Sequence, residues 1–350
     1  MIRLGALGDV ARTLPALHAL RRGYPEARID WLVEARAAGV LEREPALDAV
    51  LRFPRERLSE ALRGARLPTL GRELRRFLRE LRGREYDLVL DFHGILKSGI
   101  LARLCGAPLR VGYAPPFGRE LAWIFANHRA VLTPERASRF ERNLGLVRYL
   151  GLEVALPEPP LLAIDAAAGA RIHAWLGDRP APVVVHPGSS SGTPYKRYAL
   201  SDYAAVVRAI HSASGRECAV SWGPTDDECE EAAELVRQAG SGARLAPETR
   251  DFADLAALLA SSPLFVGSDS GPLHVAALLG TPVVQILGPT DPVENAPYPR
   301  TPSRSVRVPL PCSPCRRGCE AATCMRSVSP VAVADAALEL LGAANPERAS

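Results

Sequence analysis

Short apolar runs alternate with amphipathic stretches along the whole chain. Asp30–Val33 (DWLV) and Leu88–Leu90 (LVL) are too short for helices and predict buried strands. Between and around them the period changes. Val10, Leu14, Leu17 and Leu20 recur at near-helical spacing over Val10–Arg22, with Pro15 marking where the regular part starts or kinks. Gly71–Arg84 places Leu74, Phe77, Leu78 and Leu81 on one face and Arg72, Arg75, Arg76, Arg79 and Arg82 largely on the other. "YDLVLDFHG" then predicts a strand ending in a polar loop, and "RVGYA" another short strand.

A proline-rich stretch, Leu156–Leu162 (LPEPPLL), reads as a linker. Beyond it the same logic repeats. "PVVVHPGSS" predicts a buried strand with a glycine-containing polar loop, Tyr203–Ile210 a helix, and "CAVSWGP" a strand and turn. Asp226–Gly240 predicts a helix with a glycine stop, "LFVGSDSG" a strand, Pro272–Leu279 a helix and "PVVQILG" a strand. Strand–helix alternation implies parallel sheets wound by right-handed crossovers. The expected fold is therefore α/β, with two Rossmann-like domains facing a cleft, over residues 1–158 and 159–330. A closing helix over 331–343, preceded by Pro330, is expected to pack back on the first domain.

With 47% hydrophobic residues in 350, the chain has enough apolar material for two cores. The net charge is only +4, which argues against nucleic acid as a partner. No apolar run approaches the roughly 20 residues of a membrane span. Asp9 and Arg12 interrupt the start, unlike a secretory leader. The expectation is a cytoplasmic protein, soluble or peripheral on a membrane, whose seven cysteines are not disulfide-bonded by default.

Ligands of doubly wound sheets sit beyond the carboxyl ends of strands. Ser268–Gly271 lies at such a rim, and Pro272 suits the first helical turn that follows. Ser270 or Gly271 is then near the cap, and the free N–H groups beyond it form an anion site fit for a diphosphate. Asp269 does not suit phosphate; it orients the loop or accepts from a sugar hydroxyl. Thr290, in the "GPTDP" turn after the next strand, faces the same rim. One glycine-rich turn is equally compatible with a tight turn that holds no ligand. Cys312-x2-Cys315-x3-Cys319-x4-Cys324 offers four thiolates for a structural zinc. The spacing is more compact than two separated knuckles, so free or partly oxidised thiols are the alternative. Cys105, Cys218 and Cys229 read as small core residues.

Three stretches, "RLGALGDVARTLPAL", "DFHGILKS" and "DSGPLHVAALLGTPVVQILGPTDP", together resemble the lipopolysaccharide heptosyltransferases, glycosyltransferase family 9, in order and over nearly the whole chain. "GILKS" followed by "GRELAWIF" looks closest to the heptosyltransferase I branch. The resemblance implies the GT-B fold and an inverting transfer of heptose from ADP-L-glycero-D-manno-heptose to the Kdo region of the inner core on lipid A. It also implies catalysis without an essential metal, and a cytoplasmic protein in peripheral contact with the anionic face of the inner membrane. It implies Asp9 as catalytic base, Gly8 beside it on the acceptor side, and Lys196 facing the donor diphosphate, with Arg197 as its neighbour. Ser189, Trp222, Gly223, Thr225, Asp269, Ser270, Gly271, His274 and Thr290 fall to the donor, and Lys97, Arg119, Arg72 and Arg76 to the acceptor side.

Asp9 also reads as a helix N-cap, Lys196 as a solvated loop lysine, His274 as a structural histidine and the arginine stripe as a solvated face. Two departures from the family pattern stand out. The family begins with a full strand before "LGD", and here only Met1–Leu4 remain for that central strand, which positions Asp9. In "WGPTDDE", Thr225 stands nearest to where heptosyltransferase I has a donor-binding glutamate. Another nucleotide sugar and glycan, or a non-catalytic sugar-nucleotide binder, are the competing readings. Closure about the proline-rich linker is expected for half-sites carried on two domains.

Overall fold

The computed structural model describes residues 1–133, 136–189, 192–315 and 318–343. The chain divides into two compact units, Met1–Leu156 and Pro157–Ser350, the division falling inside the proline-rich stretch.

In the first unit, β1 (Asp30–Glu34) pairs with β2 (Ala49–Phe53), and β3 (Leu88–Leu90), β4 (Leu109–Tyr113) and β5 (His128–Ala130) pair in series, all parallel. Met1–Leu4 joins the two sets. Ile2 bridges Leu32 on one side and Asp91 on the other. The Ile2 N–H donates to Leu90 O at 2.9 Å, and Leu32 and Glu34 donate to Met1 O and Leu4 O at 2.9 and 2.8 Å. Ile2 and Leu4 are buried in the core. The expected weak platform is thus a short but fully embedded central strand. The order across the sheet is β2, β1, Met1–Leu4, β3, β4, β5.

The second unit carries a six-stranded parallel sheet in the order β11-β10-β9-β6-β7-β8. Its strands are β6 (Val183–His186), β7 (Cys218–Val220), β8 (Ala243–Leu245), β9 (Phe265–Ser268), β10 (Val283–Ile286) and β11 (Ser303–Val306). Every residue of β6, β9 and β10 is buried, as expected of strands covered on both faces. Counted in chain order, both units have the spatial order third, second, first, fourth, fifth, sixth, which is the Rossmann arrangement. Crossovers leave the first and fourth strands in opposite directions, opening a crevice at their carboxyl ends. That places residues 5–9 and 91–97 around one crevice, and residues 187–189, 192–196 and 269–271 around the other.

Two expectations need correction. The closing helix, Pro330–Ala343, does not belong with the first domain. Its Val333, Ala337, Leu340 and Leu341 are buried in the second unit's core, with Val207, Val284 and Ile286. The arginine-rich helix starts before Gly71, at Leu67, because Pro68 is well tolerated in a first turn, and runs to Arg82.

Candidate functional site

In the first unit the chain leaves its central strand and turns into the short helix Leu7–Ala11, which carries Asp9 in its first turn. Asp9 is not the N-cap; that position is Ala6. Its carboxylate instead meets three guanidiniums: Arg3 at 2.6 Å, Arg12 at 2.8 Å and Arg139 at 2.6 Å. Burial pushes the Asp9 carboxyl up, but the charges of Arg3, Arg12 and Arg139 outweigh it and hold it well below the usual carboxylate range. Asp9 is therefore held as the carboxylate at neutral pH. The anchoring is deep. Arg3 also donates to Phe92 O at 2.7 Å, and Thr13 Oγ1 donates to Asp9 O at 2.9 Å. The buried Asn143 donates to Arg12 O and Thr13 Oγ1, both at 3.0 Å. Gly8 is buried, and its carbonyl accepts from Arg12 Nε at 3.2 Å.

Across the crevice, Asp91 shapes the "DFHG" loop. One carboxylate oxygen accepts from the N–H groups of His93 (2.9 Å) and Gly94 (3.1 Å), the other from Ser98 Oγ (2.8 Å). His93 was not identified from sequence. Its Nδ1 accepts the Leu4 N–H at 3.3 Å, which puts the ring proton on Nε2. Burial, reinforced by Arg3, lowers its pKa to about 3, so it stays neutral. Both side chains lie in the "DFHGILKS" stretch that carries the resemblance, but only the register of this loop against the central strand shows what they touch. Lys97 donates to Glu34 Oε1 at 2.5 Å and lies over the Phe53 ring. Glu34 also takes Arg55 at 2.9 Å. Arg119 is exposed, and its N–H donates to Gly94 O at 2.8 Å. Arg72 and Arg76 are exposed on the Leu67–Arg82 helix, and no hydrogen bond or ion pair joins them to Asp9, His93 or Lys97.

In the second unit, Lys196 ends a short 3-10 turn and donates to Asp269 Oδ2 at 2.9 Å. His274 Nε2 lies 3.2 Å from Asp269 Oδ1. Both Asp269 oxygens are thus engaged by protein, and the aspartate ties Lys196 and His274 together at the rim. Ser189 braces the loop: its hydroxyl donates to Thr193 O at 3.2 Å and accepts from Arg197 Nε at 3.3 Å. Arg197 pairs with Glu231 at 2.6 Å. The helix Gly271–Leu279 starts at the rim, capped by Ser270 without a side-chain hydrogen bond and with Pro272 in its first turn. Its first N–H groups therefore receive no side-chain cap. The hydroxyls of Ser270 and Thr290 are both buried and have no hydrogen-bond partner. Buried orphan hydroxyls are rare, and here two stand at the carboxyl ends of neighbouring strands.

Trp222 is partly buried against the core. Thr225 caps the helix Asp226–Ala239, accepting from the Glu228 N–H at 3.3 Å and donating to Glu228 Oε2 at 3.0 Å. The Thr225 hydroxyl thus holds Glu228 back over Gly223, where a Cβ would collide with the Glu228 carboxylate. The carboxylate beside the Trp-Gly pair is thus Glu228, not Thr225. The T-x-x-E spacing was the signal for it.

The cysteine loop meets the same rim. Cys312, Cys315, Cys319 and Cys324 all line one small cavity of about 40 Å³, with Tyr195 and Pro289. The Cys315 N–H donates to Pro289 O at 2.7 Å and Ser313 Oγ to Gly288 O at 2.8 Å. Yet among the described residues no three His, Cys, Asp or Glu side chains form a group able to hold a metal ion. Hydrogen bonds to backbone carbonyls and packing tie the loop to the rim. Cys105 and Cys218 are buried and their thiols are pushed up by burial, Cys218 to about 12, as fits inert core residues.

No helix among the described residues is long and apolar enough to cross a membrane. The sequence profile of glycosyltransferase family 9 (heptosyltransferase) matches residues 74–325. A lipopolysaccharide heptosyltransferase 1 of Pseudomonas aeruginosa is 28% identical over 330 residues, covering 90% of this chain and 85% of its own. A lipopolysaccharide heptosyltransferase 3 of Escherichia coli is 25% identical over 301 residues, covering 83% of each. Both types of relative match, so the likeness does not single out the heptosyltransferase I branch. The E. coli heptosyltransferase WaaC, solved with ADP, superposes with a TM-score of 0.76 at 22% identity, over 97% of this chain and 98% of its own, and has the same fold. The profile match spans well over half of the sequence, and the chain belongs to glycosyltransferase family 9, the heptosyltransferases.

Proposed function

We propose that this protein transfers heptose from ADP-heptose to an inner-core sugar of a lipopolysaccharide precursor, with inversion at the anomeric carbon. The observation that carries the reading is a difference in chemistry at one topological position. The switch-point crevice of the first unit presents an ionised carboxylate, Asp9. That of the second presents a lysine, Lys196, beside the start of the helix Gly271–Leu279 and two orphan hydroxyls. A base for a hydroxyl and a cradle for a diphosphate are the two halves an inverting glycosyl transfer requires. The names of the curated relatives support heptose and lipopolysaccharide as the substrates.

In this reading the acceptor oxygen attacks the anomeric carbon, its proton passes to Asp9, and the bond to the ADP phosphate breaks. Asp9 is a weak base, so the proton moves only as the forming glycosidic bond makes the hydroxyl acidic. An anionic acceptor that drew Arg139 toward itself would raise the proton affinity of Asp9. Lys196 and the first N–H groups of the helix offset the charge gathering on the leaving diphosphate. Ser270 and Thr290 donate to phosphate or ribose oxygens, and Glu228 accepts from ribose hydroxyls.

The test is calorimetric titration with ADP-heptose, UDP-glucose and UDP-N-acetylglucosamine, followed by transfer assays on Kdo-lipid A. Selective binding of ADP-heptose with transfer is the expected result. Preference for a UDP-sugar would move the function to another glycan, and no binding by the folded protein would defeat the enzymatic reading.

A further inference from the structure

The cysteine loop has no task in the proposed transfer. Its four thiols line a cavity of about 40 Å³, with room for little more than a water, so it offers packing and not a ligand pocket. What the loop touches is more informative. In the second sheet β9 lies between β10 and β6. β9 delivers Asp269, β10 leads into residues 288–290, and β6 leads into the turn Pro194–Lys196. The cysteine loop meets the exits of both outer strands.

On the β10 side, the Cys315 N–H and Ser313 Oγ donate to Pro289 O and Gly288 O. Met325 and Cys324 lie so close to Gly288 that a Cβ there would collide with the Met325 side chain. The next residue after Pro289 is Thr290, with its buried orphan hydroxyl. On the β6 side the contact is one aromatic ring. Tyr195 turns its Cγ and both Cδ atoms to Gly318, so closely that a Cβ on Gly318 would overlap the ring. Gly318 also has a φ of +68°, which suits glycine. The same ring closes the thiol cavity beside Cys312, Cys315, Cys319 and Cys324.

This seat bears directly on Lys196. Tyr195 is its neighbour, in the middle of a three-residue 3-10 turn. A turn so short has little rigidity of its own. Away from Gly318, the ring borders a cavity of about 730 Å³ lined also by Arg197, Glu231 and Arg326, so it has room to swing on that side. Lys196 reaches Asp269 Oδ2 at 2.9 Å from this turn, and drift of the turn would carry its ammonium away.

We propose that Tyr195 is a positioning residue: seated on Gly318, it lets the cysteine loop hold Lys196 against Asp269. Its effect on the rate rests on the reading of Lys196 as the group that meets the donor diphosphate. The seat itself concerns only where Lys196 stands, and it is tested apart from activity.

The chain has two lysines, Lys97 and Lys196, so ¹³C-labelled lysine gives two side-chain Cε signals in a magnetic resonance spectrum, assigned by Lys196→Arg. Tyr195→Ala is expected to move the Lys196 signal toward that of a solvated lysine and to leave Lys97 in place. Gly318→Ala, which presses on the ring from the loop side, should move the same signal. Tyr195→Phe keeps the ring and should leave it unmoved. In the transfer assay Tyr195→Ala should lower kcat about tenfold, with a much smaller change in the KM for ADP-heptose, because a displaced cation mainly weakens stabilisation of developing charge. Added to Lys196→Ala, it should cost no more than about twofold further, as expected of two residues acting through one group. Thermal melting shows that each variant is folded, and Gly318→Ala carries the test if Tyr195→Ala is not. A Lys196 signal unmoved in the folded variants overturns the proposal. So does a further tenfold loss in the double variant, because Tyr195 would then act by another route. A moved signal, with transfer unaffected by Lys196→Ala, would support the seat and refute the donor role of Lys196.

Discussion

Asp9 is held between three cations, and this sets both its reactivity and its cost. Asp9→Asn removes the base and is expected to lower kcat by about a thousandfold. It also leaves Arg3, 7% exposed in its side chain, facing Arg12 and Arg139 without a counter-charge, so a loss of about 3 kcal/mol in stability should accompany it. Thermal melting beside the transfer assay separates the two effects. Arg139→Gln is the gentler probe. Removing one cation raises the Asp9 pKa, so the acid limb of the kcat profile should move to higher pH while the plateau is retained. An unchanged limb would mean that another group titrates there. In the second unit, Lys196→Ala is expected to cost about a hundredfold in kcat, as removal of a donor to developing charge does elsewhere. These roles were only partly legible in the sequence. Asp9 and Lys196 stood out through the family motifs. Arg139, 130 residues from Asp9, carries no local mark, and neither does the tie of Lys196 to Asp269 across 73 residues. A side chain's partner is a property of topology, and no local pattern records it.

Among the elements, the four-residue segment Met1–Leu4 has the largest effect for its size. It supplies the first strand of a six-strand order and delivers the chain to Asp9. Leu4 is fully buried, and Leu4→Ala is expected to destabilise the protein by about 3 kcal/mol, read as a lower melting temperature and as lost transfer. Donor binding, proposed for the other unit, should change much less. The strands found from sequence and those missed divide along one physical line. β1, β3, β4, β6, β7, β9 and β10 were announced by apolar runs, because both their faces are covered. β2, β5, β8 and β11 were not, and these four are the edges of the two sheets. β5 reads HRA and β11 SRSV, with two exposed residues each. An edge strand borrows its conformation from one neighbour and needs little hydrophobicity of its own. The closing helix was found in the sequence but assigned to the wrong unit, since an apolar face does not say which core it completes.

At the scale of the whole molecule, one strand order is used twice with opposite chemistry at the switch point. The pattern of alternating elements sufficed to predict two doubly wound units, and the topology then explains why the conspicuous motifs lie where they do. The depressed carboxylates that are largely buried lie in the first unit, whereas the side chains of Glu234 and Glu339 in the second are 41% and 56% exposed. Asp9 and Glu34 both titrate below their ordinary values, Asp9 because three guanidiniums outweigh its burial and Glu34 because Lys97 and Arg55 outweigh its own. A carboxylate depressed in the folded state contributes stability that is fully present above its unfolded pKa and is lost as pH falls through that value toward the folded one. Asp91 runs the other way: burial raises it, so acid relieves a small cost instead of adding one. Melting followed from pH 7 downward should stay level until the ordinary carboxylate range of about 4 and then fall, with Arg139→Gln showing a shallower fall.

The most direct test of the central claim is the rate of heptose transfer from ADP-heptose to Kdo-lipid A by the parent protein and by Asp9→Asn, each at a donor concentration that calorimetry shows to be saturating. The account predicts transfer by the parent and a loss of about a thousandfold in the variant with donor affinity unchanged. Equal rates in the two proteins, or a parent that binds ADP-heptose and never transfers it, would contradict it.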